Sequence, residues 1–265
     1  MKILIADPAK NITVFVLDRV EDQKERAAIA WKILADKRIK AEQVGFVLPP
    51  EKSMPDFKTT LWRLEMAGGE FCGNAARCFG LYAAGVTGVK GKADILVSVS
   101  GSVTPVRVEV DTENGLASAE MPNPLGIDVL DFCGNSLSVL VFEGITHIIA
   151  PDLKPGKELF FAIKAELEKK YSSPAAGVMF YDTDTRFMRP AVYVTSPESF
   201  VFESSCGSGS AALGVWLSHG MRDGTAKYSI TQPGGIIETE VEKRAGEIAR
   251  IAIGGKVKLG TPEQY

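Results

Sequence analysis

The sequence has no basic run. Its 30 Lys and Arg are interspersed with 33 Asp and Glu, for a net charge of −3. Nucleic acids and anionic membranes are bound through clustered positive charge, so neither is expected as a partner. No apolar stretch approaches the ~20 residues of a membrane-spanning helix. The opening Met1-Lys-Ile-Leu-Ile-Ala is too short an apolar run for a secretory signal, which leads us to expect a cytoplasmic location. Cysteine is scarce: Cys72, Cys78, Cys133 and Cys206 are widely spaced, which is not the pattern of a disulfide framework, and in a reducing compartment they stay as thiols. There is no Cys-x-x-Cys, and the two histidines, His147 and His219, stand far from the cysteines in sequence. A metal site is therefore not expected.

What the chain does have is one motif in two versions. Glu70-Phe-Cys-Gly-Asn-Ala-Ala-Arg-Cys-Phe-Gly is answered 134 residues later by Cys206-Gly-Ser-Gly-Ser-Ala-Ala-Leu-Gly. In both, Cys-Gly is followed by Asn or Ser, and a second glycine, Gly80 or Gly214, falls eight residues after the cysteine. A turn glycine, Gly101 or Gly235, falls 29 residues after it. With 265 residues, the chain is long enough for two such halves.

The local patterns agree with that division. Residues 2–6 and 12–17 are rich in β-branched and aromatic residues and read as strands around a turn that contains Asn11. Ala27, Ile29, Ala30, Ile33 and Leu34 recur at helical spacing within 21–36. Residues 43–48 read as a strand that ends at Pro49-Pro50, and 58–66 as another. The segment 74–84 lacks proline and β-branched residues, so Cys72 is expected where a helix begins. Residues 94–99 and 103–110 read as a hairpin. Downstream the layout recurs: a charged amphipathic helix at 157–170, a strand over 191–202, a helix from Cys206 through Leu217, and strands at 228–230 and 236–241. The halves are expected to meet in the Asn-, Gly- and Pro-bearing stretch 113–124. This gives a first half of 1–117, with about 255–265 returning to it, and a second half of 118–254.

A cysteine at a helix start has a chemical consequence. The first N–H groups of a helix have no intrahelical partner, so they can hold a carboxylate and lower a thiol's pKa. If both helix starts face one cleft, a thiolate on one side can take a proton from a carbon while a thiol on the other side returns one, inverting the centre. Cys72 and Cys206 are then the acid and base, with neither metal nor pyridoxal required. Cys78 reads as core. Cys133, in Phe132-Cys-Gly-Asn, copies the motif without the helix-forming run after it. His147, His219, Glu65 and Glu203 read as structural residues.

These motifs resemble those of the diaminopimelate epimerase superfamily, the cofactor-independent two-cysteine amino-acid racemases and epimerases. The resemblance implies an α+β fold of two pseudo-symmetric halves, each a curved, mostly antiparallel sheet or barrel around a central helix, with the site in the cleft between them. It implies Cys72 and Cys206 as the acid/base pair and the N–H groups of Gly73, Asn74, Gly207 and Ser208 as holders of the α-carboxylate. It also places Asn11 and Gln43 near the reacting centre. Diaminopimelate epimerases carry an Arg before the second cysteine that grips the substrate's far end, and Pro197-Glu-Ser-Phe has none.

The stretches Glu42-Gln-Val-Gly-Phe, Gly69-Glu-Phe-Cys-Gly-Asn-Ala, Phe202-Glu-Ser-Ser-Cys-Gly-Ser-Gly and Gln232-Pro-Gly-Gly are similar, in the same order, to the histidine racemases of staphylopine-type metallophore biosynthesis. That likeness implies an isomerase converting L- to D-histidine, with Glu42 placed to pair with an imidazole N–H. Arg77-Cys78-Phe79 instead follows the epimerase pattern. The alternatives are a diaminopimelate epimerase, a phenazine-biosynthesis-type isomerase or a non-catalytic binding protein. In each case the partner is a small molecule, and a homodimer is compatible with the sequence.

Overall fold

The computed structural model describes residues 1–50, 61–196 and 198–265. The chain divides into two compact units, Met1–Glu120 together with Gly254–Tyr265, and Met121–Ile253. Among the described residues no helix is long and apolar enough to cross a membrane.

In the first unit β1 (Lys2–Asp7) and β2 (Thr13–Val16) pair antiparallel. Helix α1 (Gln23–Ala35) starts at Asp22, whose carboxylate accepts the Glu25 N–H at 2.8 Å, and it buries Ala30 and Ile33. It leads to β3 (Gln43–Leu48), which lies parallel to β2; parallel neighbours cannot be joined by a tight turn, so a crossover is required. β4 (Arg63–Met66) runs antiparallel to β3. Residues 58–60 of the expected 58–66 strand lie outside the described residues. A second crossover, α2 (Gly73–Val86), leads to β5 (Lys92–Val99), parallel to β4. Then β6 (Val106–Asp111) and β7 (Leu116–Met121) extend the sheet antiparallel. β7 thus occupies much of the stretch 113–124 that the sequence suggested as a junction. Its alternating Ala117, Ala119 and Met121 are buried, so turn-forming neighbours did not prevent a strand.

The second unit repeats this order. β8 (Gly126–Phe132), β9 (Asn135–Phe142) and β10 (Ile145–Pro151) form an antiparallel meander. Helix α3 (Lys157–Glu168) crosses to β11 (Ala175–Asp182), parallel to β10, and β12 (Phe187–Val194) returns antiparallel. The strand expected over 191–202 is two strands. β13 (Ser199–Phe202) folds back on β12 with Val194 opposite Ser199. Thr195 and Ser196, which follow β12, form a turn. Helix α4 (Gly207–Leu217) follows, then β14 (Gly224–Gln232), with a parallel bridge to β12, and its antiparallel partner β15 (Gly235–Arg244). β16 (Glu247–Lys256) ends the second unit at Ile253, and the short strands β17 (Lys258–Leu259) and β18 (Glu263–Gln264), which belong to the first unit, both pair with β1 there.

Each unit therefore contains a hairpin, a crossover helix, a second hairpin, a buried helix and a third hairpin. The buried helices carry the cysteine motifs. α2 buries eleven of its fourteen residues, all but Asn74 and Arg77 of them apolar or glycine, a pattern that only an interior helix can satisfy. The motif glycines explain how it fits. A Cβ at Gly80 would stand 2.6 Å from the Val108 side chain of β6, and one at Gly214 would stand 2.5 Å from Thr239 Cγ2 of β15. Close approach of helix to strand, and not backbone freedom, requires glycine at both places.

Gly80→Ala should lower stability by about 1–3 kcal/mol through overpacking, although alanine is the better helix former. Urea unfolding measures this, and an unchanged or raised midpoint would show that α2 can back away from β6.

Candidate active site

Both cysteines are helix N-caps. Cys72 (φ −127°, ψ 111°) precedes α2 and accepts the Ala75 N–H at 3.4 Å through Sγ; Cys206 (φ −110°, ψ 115°) precedes α4 and accepts the Gly209 N–H at 3.3 Å in the same way. A sulfur here takes the place usually held by a Ser or Asp oxygen. The N–H groups of the first turn carry partial positive charge, which favours thiolate over thiol and gives an anion a place to bind.

The turn glycines hold these N-caps. Gly101 has φ +69°, and a Cβ there would meet the Phe71 nitrogen at 2.2 Å. Beside it, the Ser100 hydroxyl donates to the Glu70 carbonyl at 2.9 Å and accepts the Met66 N–H at 2.8 Å. In the second unit the Gly234 N–H donates to the Ser204 carbonyl at 2.7 Å. The spacing of 29 residues is thus the distance along the chain from a cysteine to the turn that steadies the segment leading into it.

Around Cys72 the first unit places Gln43, whose Oε1 accepts from Sγ at 2.9 Å and from the Thr13 hydroxyl at 3.4 Å. Asn74 Nδ2 donates to Asn11 Oδ1 at 3.1 Å, and Asn11 Nδ2 donates to Glu42 Oε2 at 2.6 Å. Asn11 and Asn74 are buried, and Glu42 is exposed. Cys78 is fully buried, and desolvation pushes its thiol up to about 12, which keeps it protonated and inert.

Around Cys206 the second unit is built more tightly. The Cys206 N–H donates to Gln232 Oε1 at 2.8 Å, Gln232 Nε2 donates to Ser210 Oγ at 2.9 Å, and Ser210 Oγ donates to the Cys206 carbonyl at 2.6 Å, a closed ring of buried bonds. Gly209 leaves room for Met179: a Cβ there would lie 2.2 Å from Met179 Sδ and 3.1 Å from Cys206 Sγ. Ser208 Oγ lies 3.7 Å from Cys206 Sγ and 2.9 Å from His147 Nε2. His147 is fully buried and its Nδ1 has no partner among the described residues. A proton on Nδ1 would bury an N–H without an acceptor, so Nε2 carries it and donates to Ser208, whose own proton can then turn toward the sulfur. Burial pushes the imidazole down to about 3. The Cys206 thiol is pushed up, first by burial and then by the nearby Glu203 carboxylate, with the Gly209 N–H and Ser208 pulling the other way. Burial dominates, so Cys206 rests as a thiol.

A family model described as the histidine racemase CntK N-terminal domain matches residues 2–262. A histidine racemase of Fusobacterium nucleatum is 34% identical over 245 residues, covering 89% of this chain and 88% of its own. The chain belongs to the histidine racemase family. A second family member, the histidine racemase of Staphylococcus aureus, is 26% identical over 238 residues, covering 87% of this chain and 85% of its own. Among solved structures, a probable proline racemase from Agrobacterium radiobacter superposes with a TM-score of 0.69 at 15% identity, covering all of this chain and 92% of that one. A hydroxyproline epimerase from Agrobacterium vitis gives 0.65 at 13% identity, covering 99% and 91%. A putative phenazine-biosynthesis protein from Clostridium difficile gives 0.62 at 15% identity, covering 100% and 99%. Those likenesses lie in the fold alone.

Within this family member the first unit gathers Asn11, Glu42, Gln43, Cys72, Gly73 and Asn74, and the second gathers Cys206, Gly207 and Ser208. Among the described residues no group of three or more His, Cys, Asp and Glu side chains could hold a metal ion. His147 and Glu203, read from sequence as structural, stand beside Ser208 and Cys206. The sequence marks Gln232 and Arg77 only as members of motifs, with no sign of the bonds that they make. The nearest sequence signal for Glu203 was its place three residues before the cysteine. Cys133 sits exposed in the β8–β9 turn at φ +51°, and no helix begins after it.

Removing the Glu203 charge lowers the Cys206 pKa, so Glu203→Gln should speed alkylation of Cys206 by iodoacetamide at pH 8, followed peptide by peptide with mass spectrometry. A wild-type rate would contradict the assigned influence of Glu203. His147 generates a second expectation. Its folded value lies below the unfolded ~6.5, so its contribution to stability is whole above pH 6.5 and is lost as pH falls toward 3, at about 1.4 kcal/mol per pH unit. His147→Gln should flatten that part of the fall between pH 7 and 4.5 in urea midpoints. Parallel curves for the two proteins would contradict it.

Proposed function

We propose that the protein is a cofactor-independent histidine racemase that inverts Cα by a two-base mechanism with Cys72 and Cys206. The observation that carries this reading is the matched N-cap construction. In a member of the histidine racemase family, two cysteines with nearly equal backbone angles each accept an N–H from the first turn of a buried helix.

In the proposed reaction one cysteine, as thiolate, removes the α-proton from L-histidine and becomes a thiol. The carbanion delocalises into the α-carboxylate, whose growing charge is met by the N–H groups of Gly73, Asn74, Gly207 and Ser208. The other cysteine, as thiol, gives its proton to the opposite face and becomes the thiolate. The product is D-histidine, and the two sulfurs have exchanged protonation states, ready for the reverse direction. Gln43 accepts from the Cys72 thiol when that residue is the acid, and Ser208, oriented by His147, donates to the Cys206 sulfur when that residue is the base. Both arrangements use hydrogen bonds already formed around the sulfurs. Glu42, held by Asn11, accepts from an imidazole N–H.

Incubated with L-histidine in deuterium oxide, the protein should form D-histidine labelled at Cα, detected by chiral chromatography and mass spectrometry. Cys72→Ser and Cys206→Ser should each lower kcat by about 100-fold or more, the scale of a lost general acid or base. Absence of α-exchange with histidine from folded wild-type protein would sink the racemase reading. Wild-type turnover in either serine variant would sink the two-base mechanism alone.

A further inference from the structure

Among the described residues Arg77 is the largest fully buried side chain. It lies on α2 among alanines and phenylalanines, and burial lowers its pKa from the ordinary guanidinium value. A buried cation costs several kcal/mol unless its hydrogen bonds are well placed, and an apolar residue of similar size usually serves stability as well or better. Arg77 is only partly satisfied. Nε donates to Asn74 Oδ1 at 3.2 Å and Nη2 donates to the Pro8 carbonyl at 3.1 Å, while Nη1 has no partner among the described residues. Stability alone is a poor account of such a residue.

Its hydrogen bonds have a direction. A guanidinium can only donate, so the oxygen of Asn74 must face Arg77 and its Nδ2 must face away. That Nδ2 meets Asn11 Oδ1, which turns Asn11 Nδ2 toward Glu42 Oε2. Flipping either amide would set N–H against N–H. One buried cation therefore fixes the orientation of two asparagines and, through them, of one carboxylate. The Nη2 bond to Pro8 adds a second hold, because Ala9 (φ 67°) and Lys10 (φ 61°) follow in the left-handed region that non-glycine residues rarely adopt. That turn delivers Asn11.

We infer that Arg77 is a positioning residue which, through Asn74 and Asn11, aims the Glu42 carboxylate and thereby sets the preference for a substrate whose side chain carries an N–H donor. This rests on the proposed role of Glu42 toward histidine. Arg77 touches no reacting atom in this account. Its charge also favours a thiolate at Cys72, an influence that Arg77→Lys keeps, so the loss in that variant belongs to binding of the side chain.

The test is a double-mutant cycle with Arg77→Lys and Glu42→Gln, read as KM for L-histidine against kcat. Arg77→Lys should raise KM by about 10-fold, the scale of one hydrogen bond to a charged group. In the Glu42→Gln background it should add nothing further. Effects on KM that multiply across the cycle, or a loss confined to kcat, would overturn the inference. Asn11→Ser severs the line without disturbing the buried cation, and it should reproduce the KM increase even if Arg77→Lys folds poorly; a wild-type KM in that variant would also overturn it. A substrate-free readout separates this failure from failure of the racemase reading. In 15N spectra of the resting protein, the side-chain amide resonances of Asn74 and Asn11 should both shift in Arg77→Lys. An unmoved Asn11 amide overturns the relay whether or not histidine is racemised.

Discussion

The structure depends on a sulfur atom at the start of a buried helix. A thiol placed there accepts an N–H of the first turn, and this contact is short only if the helix begins at the residue after the cysteine and if the segment before it is held. The other demands follow. The helix must be narrow enough to lie against a strand, hence Gly80 on β6 and Gly214 on β15. The approach to the cysteine must be braced by a turn, hence Gly101 pressing on Phe71 and Gly234 bonding Ser204. A motif that looks like a short signature is the visible part of a constraint spread over some thirty residues in each unit.

The two sulfurs share this frame and differ in surroundings. Cys72 is half-buried and has an amide oxygen to donate to, whereas Cys206 is buried, near a carboxylate, and faces a hydroxyl oriented by a neutral imidazole. Desolvation and a like charge both disfavour a thiolate, while helix N–H groups and a hydroxyl donor favour it. At Cys206 the first pair outweighs the second, so the thiol is its resting form.

Much of this was legible in the sequence because it is local. Propensity marks where α2 and α4 begin, and the period of 134 residues marks the repeat, since both depend on residues within one helix or one hairpin. Asn11, Glu42, Gln43 and Ser208 came from the resemblance, whereas two other partners were not legible for the opposite reason. His147 reaches Ser208 from 61 residues away, and Arg77 reaches Pro8 from 69. Those meetings are set by the packing of α4 on β10 and of α2 on β1, which no local pattern encodes. The division of 191–202 into β12 and β13 was missed for a subtler cause: strand-forming residues continue on both sides of Thr195-Ser196, so the pattern reads as one strand where the chain turns back.

Gly177 sits directly across the ladder from His147, and a Cβ there would fall 2.3 Å from the imidazole Nδ1. The pair therefore imposes an order on change. A lineage can shrink the residue at 147 first and enlarge 177 afterwards, but the reverse step passes through a protein whose histidine has been forced off its serine. Drift at either position is ratcheted by the other, so descendants that keep the histidine inherit the glycine with it.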